Sequence, residues 1–211
     1  MSELIRRLPY RIETERLVLR PWAPEDAREL RRFMGRSHEH LTPWIPFVKG
    51  EPKRIEETAQ WLREKRSAFD RDESYRYAVR LGGEAGEIIG EADIFPDRQG
   101  SNAHEIGYLL GAGHTGRGYA FEAAAALVRV CFEVHAVDRI DIVCVPENGP
   151  SAALARKLGF THEATLRRRL IDAEDAVRDA MMWSLFRDAY AGSPSARVGL
   201  TAYDCIGDRI L

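Results

Sequence analysis

Gly111-Ala-Gly-His-Thr-Gly-Arg-Gly-Tyr-Ala120 is the stretch on which the fold turns. Before it, His104-Glu-Ile-Gly-Tyr-Leu-Leu110 alternates as a β-strand does. After it, Tyr119 to His135 is long and apolar, and the stripe Phe121, Ala125, Val128 and Phe132 predicts a helix packed on a sheet. Glycines between a strand and a helix let the backbone approach a ligand closely. The helix start then offers unpaired N–H groups and the positive dipole end to an anion. Phosphate binding is the natural expectation, because a plain strand-to-helix turn needs fewer glycines.

Two familiar phosphate motifs can be tested on this loop. Gly111, Gly113 and Gly116 spell G-x-G-x-x-G, but a dinucleotide site needs an acidic residue about 20 positions on, at the end of the next strand. Asp138 has that distance and sits at the strand's beginning. The loop also follows four strands, where a mononucleotide-binding half would open with it. A phosphate-loop NTPase fails more plainly, since Arg117-Gly118 stands where Lys and the magnesium-binding Ser or Thr belong.

Working outward, Arg11 to Arg20 reads as one strand, and Ala27, Leu30 and Met34 mark a helix from Glu25. His38-Glu-His-Leu-Thr-Pro-Trp-Ile-Pro-Phe47 is too rich in proline for a regular helix. Ile55, Ala59, Leu62 and Phe69 mark a second helix, Tyr75 to Leu81 a strand, and Glu87 to Phe95 its partner across a glycine turn. Beyond the long helix come a β-branched strand, Asp138 to Val145, and a short helix opened by Pro150 and Ser151 and stopped by Gly159. Thr165 to Ile171 and Val177 to Leu185 form a closing strand pair. The expected class is α/β (α+β), a mixed, mostly antiparallel sheet flanked by helices. Residues 1–190 read as one domain and 191–211 as a loosely packed tail, either an interface between copies (a homodimer) or a free end.

Composition narrows the partners. The 211 residues carry 31 Lys and Arg against 33 Asp and Glu, a formal charge of -2, with 45% hydrophobic residues. That balance suits one globular domain and argues against a general nucleic-acid or anionic-membrane binder. Cys131, Cys144 and Cys205 are too few and scattered for a disulfide framework or a Cys-x-x-Cys metal site. The start lacks the apolar segment of a secretion signal, and no apolar run spans a membrane, so a soluble, cytoplasmic chain is expected. His38 and His40 lack a third ligand partner, and no metal is expected.

Thr115-Gly116-Arg117-Gly118-Tyr119-Ala120 resembles the pyrophosphate cradle of the GNAT superfamily of N-acetyltransferases, whose motif is Arg/Gln-x-x-Gly-x-Gly/Ala. Gly118 and Ala120 fit, while Thr115 stands where Arg or Gln is usual. Asn148-Gly-Pro-Ser151 followed by Lys157-Leu-Gly-Phe160 is similar to the family's Asn-x-x-Ala/Ser…Lys-x-Gly-Phe pattern. His104 to Tyr108 resembles the strand lining its acyl-CoA cleft. Thr14-Glu-Arg-Leu-Val-Leu-Arg-Pro21, with His40-Leu-Thr-Pro-Trp44, is similar to the RimJ/RimL branch, which acetylates N-terminal amines of ribosomal proteins. The resemblance covers about residues 11–187.

It implies transfer of the acetyl group of acetyl-CoA to an amine acceptor, a protein N-terminus or a small molecule, by direct attack. Residues 115–120 would hold the pyrophosphate; Leu109 and Leu110 would pair with the pantetheine arm, and Asn148 would bond it. The family's thiolate acid, a tyrosine seven residues after that asparagine, is Ala155 here. Ser151 is then either a hydrogen-bond donor to the sulfur or a CoA ligand; its bland alternative is helix capping. Glu105 shares a strand face with Gly107 and Leu109 and is favoured as base, against the alternative of an ordinary paired carboxylate. Glu91 and Asp93 are second candidates, and Glu91 and Trp44 are assigned to the acceptor site. Trp44 reads equally as a core residue. A non-catalytic acyl-CoA sensor on the same scaffold and a dinucleotide-binding oxidoreductase remain alternatives.

Overall fold

Residues 8–97 and 100–211 are described by the computed structural model. The first expected strand is a hairpin, β1 (Arg11–Glu13) and β2 (Leu17–Pro21), paired antiparallel. Thr14 makes the turn: its N–H donates to Leu17 O at 2.9 Å, and Leu17 N–H donates to Thr14 Oγ1 at 3.1 Å. A local side-chain bond of this kind competes with the ladder and bends the strand, which alternation alone does not report.

Helix α1 (Ala27–Leu41) buries Ala27, Leu30, Met34, Ser37 and Leu41 at helical spacing. It therefore runs further than expected, taking in His38 to Leu41 before Pro43 stops it. Helix α2 (Ile55–Asp70) follows, then the antiparallel strands β3 (Tyr75–Leu81), β4 (Glu87–Pro96) and β5 (Ala103–Leu110). Helix α3 (Tyr119–Arg129) ends in a wider turn over Val130–Val134. Next come β6 (Arg139–Cys144), α4 (Gly149–Leu158), β7 (Thr161–Ile171) and β8 (Val177–Phe186).

The last segment corrects the expectation of a loose tail. Thr201–Tyr203 forms β9, which pairs with β1 and buries Ala202 completely. Three residues suffice because β1 is otherwise an open edge with unpaired backbone groups. Among the described residues the sheet runs β7-β8-β6-β5-β4-β3-β2-β1-β9, antiparallel throughout except between β5 and β6.

Helices cover both faces. Ala123 to Ala126 of α3 are 0–1% exposed, and their small side chains bring the helix close to Tyr77, Ile94, Ile106 and Ile140 of the main core. On the other face Phe33, Met34 and Leu62 pack with Trp22, Ala78, Ile88 and Leu109. Each strand of the sheet centre thus divides its side chains between two cores, as period-two alternation requires.

Candidate active site

The parallel pair is short. β5 and β6 are in register at Ala103–Arg139, His104–Ile140 and Glu105–Asp141 only. Beyond that point β5 stays with β4 and β6 with β8, so the sheet opens into a split. A cavity of about 750 Å³ occupies it, lined on one side by Gly107, Tyr108, Leu109 and Leu110 and on the other by Ile142 to Val145. It reaches Thr115, Gly116, Gly118, Tyr119 and Ala120 at one end; His40 to Ile45 and Leu170 to Asp172 bound it too.

At the glycine end, Gly116 and Gly118 have φ of 74° and 83°, which glycine adopts without steric cost. The first bond within α3 is from Glu122 N–H to Gly118 O at 3.0 Å, and no side chain caps the helix. The N–H groups of Tyr119, Ala120 and Phe121 therefore lack partners within the helix and, with the helix dipole, favour an anion. Thr115 Oγ1 donates to Ala112 O at 3.2 Å and shapes the loop instead of reaching outward.

This cradle has a brace the sequence did not reveal. Glu122, buried in the first turn of α3, accepts from Thr14 Oγ1 at 2.6 Å, Arg16 N at 2.9 Å and Arg16 Nε at 2.7 Å. Arg16 Nη1 in turn donates to Arg117 O at 3.0 Å. The available signal was a lone carboxylate inside the apolar run Ala-Phe-Glu-Ala-Ala, which burial obliges to find donors.

Helix α4 starts on the far wall. Asn148 is its cap, its Oδ1 accepting from Ser151 N–H at 3.1 Å. Ser151 is thus not the cap, and its Oγ lies 3.1 Å from Tyr108 Oη. Burial pushes the Tyr108 hydroxyl up to about 12, against the pull of Ser151. Cys144 also faces this cavity, and burial raises its thiol above its ordinary range.

Residues 16–161 match the model of the acetyltransferase (GNAT) domain, which is more than half of the chain. The chain belongs to the GNAT acetyltransferase family. It is an acetyl-CoA-dependent N-acetyltransferase. It is 30% identical to the uncharacterized N-acetyltransferase p20 of Bacillus licheniformis over 182 residues, 85% of this chain and 97% of that one. It is also 30% identical to the ribosomal protein uS5-alanine N-acetyltransferase of Escherichia coli over 162 residues, 76% of this chain and 83% of the relative. A solved structure of Mycobacterium smegmatis RimJ in complex with CoA-disulfide superposes with a TM-score of 0.73 at 25% identity, covering 90% of this chain and 91% of that one.

The GNAT fold sets aside the dinucleotide reading, since the glycine loop follows a strand whose main partner is antiparallel β4, and the described residues form no doubly wound parallel sheet around it. The family assignment likewise favours the enzyme over a sensor. The open N–H groups of α3 and the cavity beside them fit an acyl-CoA with its pyrophosphate at the glycine end.

The remaining expected site residues fall into two groups. Leu109, Leu110, Thr115, Gly116, Gly118, Tyr119, Ala120, Asn148, Ser151 and Trp44 line the cavity, and Trp44 is 37% exposed instead of lying in the core. Arg117 is exposed and is not part of the cavity lining. Glu105 adjoins the vertex of the split, opposite Asp141. Glu105 is exposed and does not line the cavity; local desolvation by its neighbours, and secondarily the Asp141 charge, raises its carboxyl above the ordinary range. Glu91 is 2% exposed, with one oxygen 2.6 Å from Trp22 Nε1 and the other 2.8 Å from Arg76 Nη1. Both its oxygens are engaged by the protein. His104 and His135, far apart in sequence, meet at 3.0 Å; among the described residues no three His, Cys, Asp or Glu side chains group to hold a metal.

Proposed function

We propose that this N-acetyltransferase acts on the N-terminal amine of a protein, with Glu105 as the base and Ser151, backed by Tyr108, as the hydrogen-bond donor to the departing sulfur. The carrying observation is the cavity itself, which passes through the sheet split from the α3 cradle to a mouth between the Trp44 loop and the β7–β8 arm. A chain end can enter that mouth and present its amine at the vertex, while bulkier folded surface stays outside. The uS5-alanine N-acetyltransferase supports this acceptor class.

Acetyl-CoA supplies an activated thioester carbonyl for direct attack. Glu105 holds the amine's proton, directly or through water, so that a neutral nitrogen forms the new C–N bond. Its raised proton affinity makes it a stronger base than an ordinary carboxylate. As the C–S bond breaks, Ser151 Oγ–H can donate to the sulfur and take hydrogen bonding in return from Tyr108 Oη. Asn148 is proposed to hold α4 in register and turn its free amide nitrogen to the pantetheine arm. Leu109 and Leu110 offer backbone groups on the wall, and Trp44 shapes the mouth. Glu91 supports this site from behind by fixing Arg76. We place the reaction in the cytoplasm, where the three free thiols of Cys131, Cys144 and Cys205 stay reduced.

A screen of peptides and small amines, read by CoA thiol release, tests the acceptor class. Turnover of peptides with free N-termini and not of their acetylated forms is expected. Turnover of small amines alone would overturn the reading.

A further inference from the structure

Exposed apolar surface gathers at the mouth of the cavity. Among the described residues seven large apolar side chains are exposed, and four of them lie on the two elements that flank this mouth. Trp44 and Phe47 stand on the loop after α1, and Ile171 and Val177 at the tip of the β7–β8 arm. Trp44 and Ile171 line the cavity. Val177 is directly opposite Ile171 across the two strands, so the pair presents one apolar face. Lys49 Nζ and Asp175 Oδ2 are 3.5 Å apart, which shows how closely the loop and the arm tip approach each other. An apolar patch left in water and continuous with a cavity marks a place where something else is bound.

A second observation concerns charge. The cavity lining holds one ammonium and one carboxylate, Lys157 and Asp172. Lys157 belongs to the glycine end, its Nζ 5.0 Å from the centre of the Phe121 ring. Asp172 is at the mouth, but the turn of the arm uses it: Oδ1 accepts from Glu174 N–H at 2.8 Å and Ala176 N–H at 2.9 Å, and Oδ2 from Arg178 Nε at 2.6 Å. The remaining ionisable side chain of the lining here is the His40 imidazole. An acceptor side chain entering between Trp44 and Ile171 therefore meets apolar walls. An apolar group gains by leaving water there, while a lysine or aspartate loses its hydration for little in return.

We propose that this groove is a specificity pocket for an apolar side chain close behind the acceptor amine. The enzyme selects chain ends whose second or third residue is large and apolar. The idea rests on the acceptor entering by this mouth, as described above. Successive side chains of an extended chain point to opposite sides, so neighbouring residues behind the amine meet the Trp44 wall and the Ile171 wall in turn.

The test uses the whole protein and peptides of one length with a common first residue and Leu, Ser, Asp or Lys at the second and third positions. Specificity constants come from thiol release, and affinities from calorimetry in the presence of CoA. The Leu peptides should exceed the Ser peptides about tenfold or more in both, with Asp and Lys peptides no better than Ser. Ile171 is 62% exposed, so Ile171→Glu should fold as the wild type does; it should bring the Leu-to-Ser ratio toward one and raise the Lys peptides above the Asp peptides. Hexylamine against aminopentanol repeats the comparison without a peptide. If peptides are acetylated with no apolar preference, the pocket is wrong and the N-terminal reading stands. If only the small amines react and hexylamine leads, the N-terminal reading fails and the pocket stands. If nothing turns over, equal affinities for Leu and Ser peptides overturn the pocket, and a tenfold difference abolished by Ile171→Glu upholds it. A dimer in light scattering that Ile171→Glu dissociates, with no peptide preference, would assign the patch to a second copy of the chain and overturn the proposal.

Discussion

Tyr108 Oη stands 3.1 Å from Ser151 Oγ across the wall of the cavity, joining strand β5 to the first turn of α4. The bond leaves Ser151 free of the helix-capping duty, which Asn148 performs. Ser151→Ala should therefore lower kcat by about 10–100-fold while the melting temperature stays close to wild type. Tyr108→Phe should cost less, since Ser151 keeps its hydroxyl. With its proton held up to about 12, Tyr108 should add no alkaline limb to the rate profile in the working range. A large drop in stability with unchanged kcat for Ser151→Ala would contradict the role.

Glu105 should set the acid limb of kcat/KM, with a midpoint above the ordinary 4.5 because local desolvation and Asp141 disfavour its charge. Asp141→Asn removes a negative neighbour, makes ionisation easier and should move that limb to lower pH. Glu105→Gln should reduce kcat by about 10²–10⁴-fold and leave acetyl-CoA affinity unchanged by calorimetry. The stability sign is opposite. A carboxyl raised on folding contributes stability below its unfolded value and loses it as pH rises through the folded one. Because Glu105 is exposed, solvent screens most of this effect, and Glu105→Gln should melt within about a degree or two of wild type at neutral pH.

Asp93 extends that argument, because burial and then the Glu91 charge raise its carboxyl well above the usual range, with Arg76 opposing. Stability should fall as pH climbs from the unfolded carboxyl value of 3.8 toward Asp93's folded value. Melting curves of Asp93→Asn should show a weaker pH dependence over that window and a higher midpoint at neutral pH. A variant that melts lower at neutral pH would refute it.

Glu122→Ala removes the acceptor for Thr14 Oγ1 and for the Arg16 backbone and side chain together. Urea unfolding should show a loss of about 2–4 kcal/mol, and acetyl-CoA should bind more weakly because the start of α3 loses its brace. Arg16→Ala should cost less, since that side chain is 40% exposed and solvent replaces much of its bonding.

Trp44 borders the mouth proposed for the acceptor, with 37% of its surface exposed. Trp44→Ala should raise KM for the acceptor several-fold, with acetyl-CoA affinity and melting temperature unchanged. A change confined to acetyl-CoA binding would place Trp44 elsewhere in the site.

Much of this was legible locally. The glycine spacing at 116 and 118 announced the cradle because left-handed backbone angles favour glycine. Gly159 announced the end of α4 for the same reason, at φ of 101°. Alternation placed Glu105 with Gly107 and Leu109, and the registers agree. What stayed hidden depended on partners distant in the chain. The brace joins residues more than a hundred positions apart, and β9 forms only because β1 leaves an edge to fill. Proline content suggested that His38 to Leu41 could not be helical, yet the apolar spacing of α1 carries through to Leu41.

The sequence by itself determined most of the strands and helices, the glycine loop between β5 and α3 and the family, because these rest on periodicity and on residues adjacent in the chain. Only the tertiary structure decided how far β5 and β6 stay paired, and hence where the sheet splits and which carboxylates meet at its vertex. Register is a property of two strands at once, and no single stretch of chain encodes it. The same holds for Tyr108 and Ser151: each side chain is written in the sequence, but its partner is met only once the sheet has closed around it.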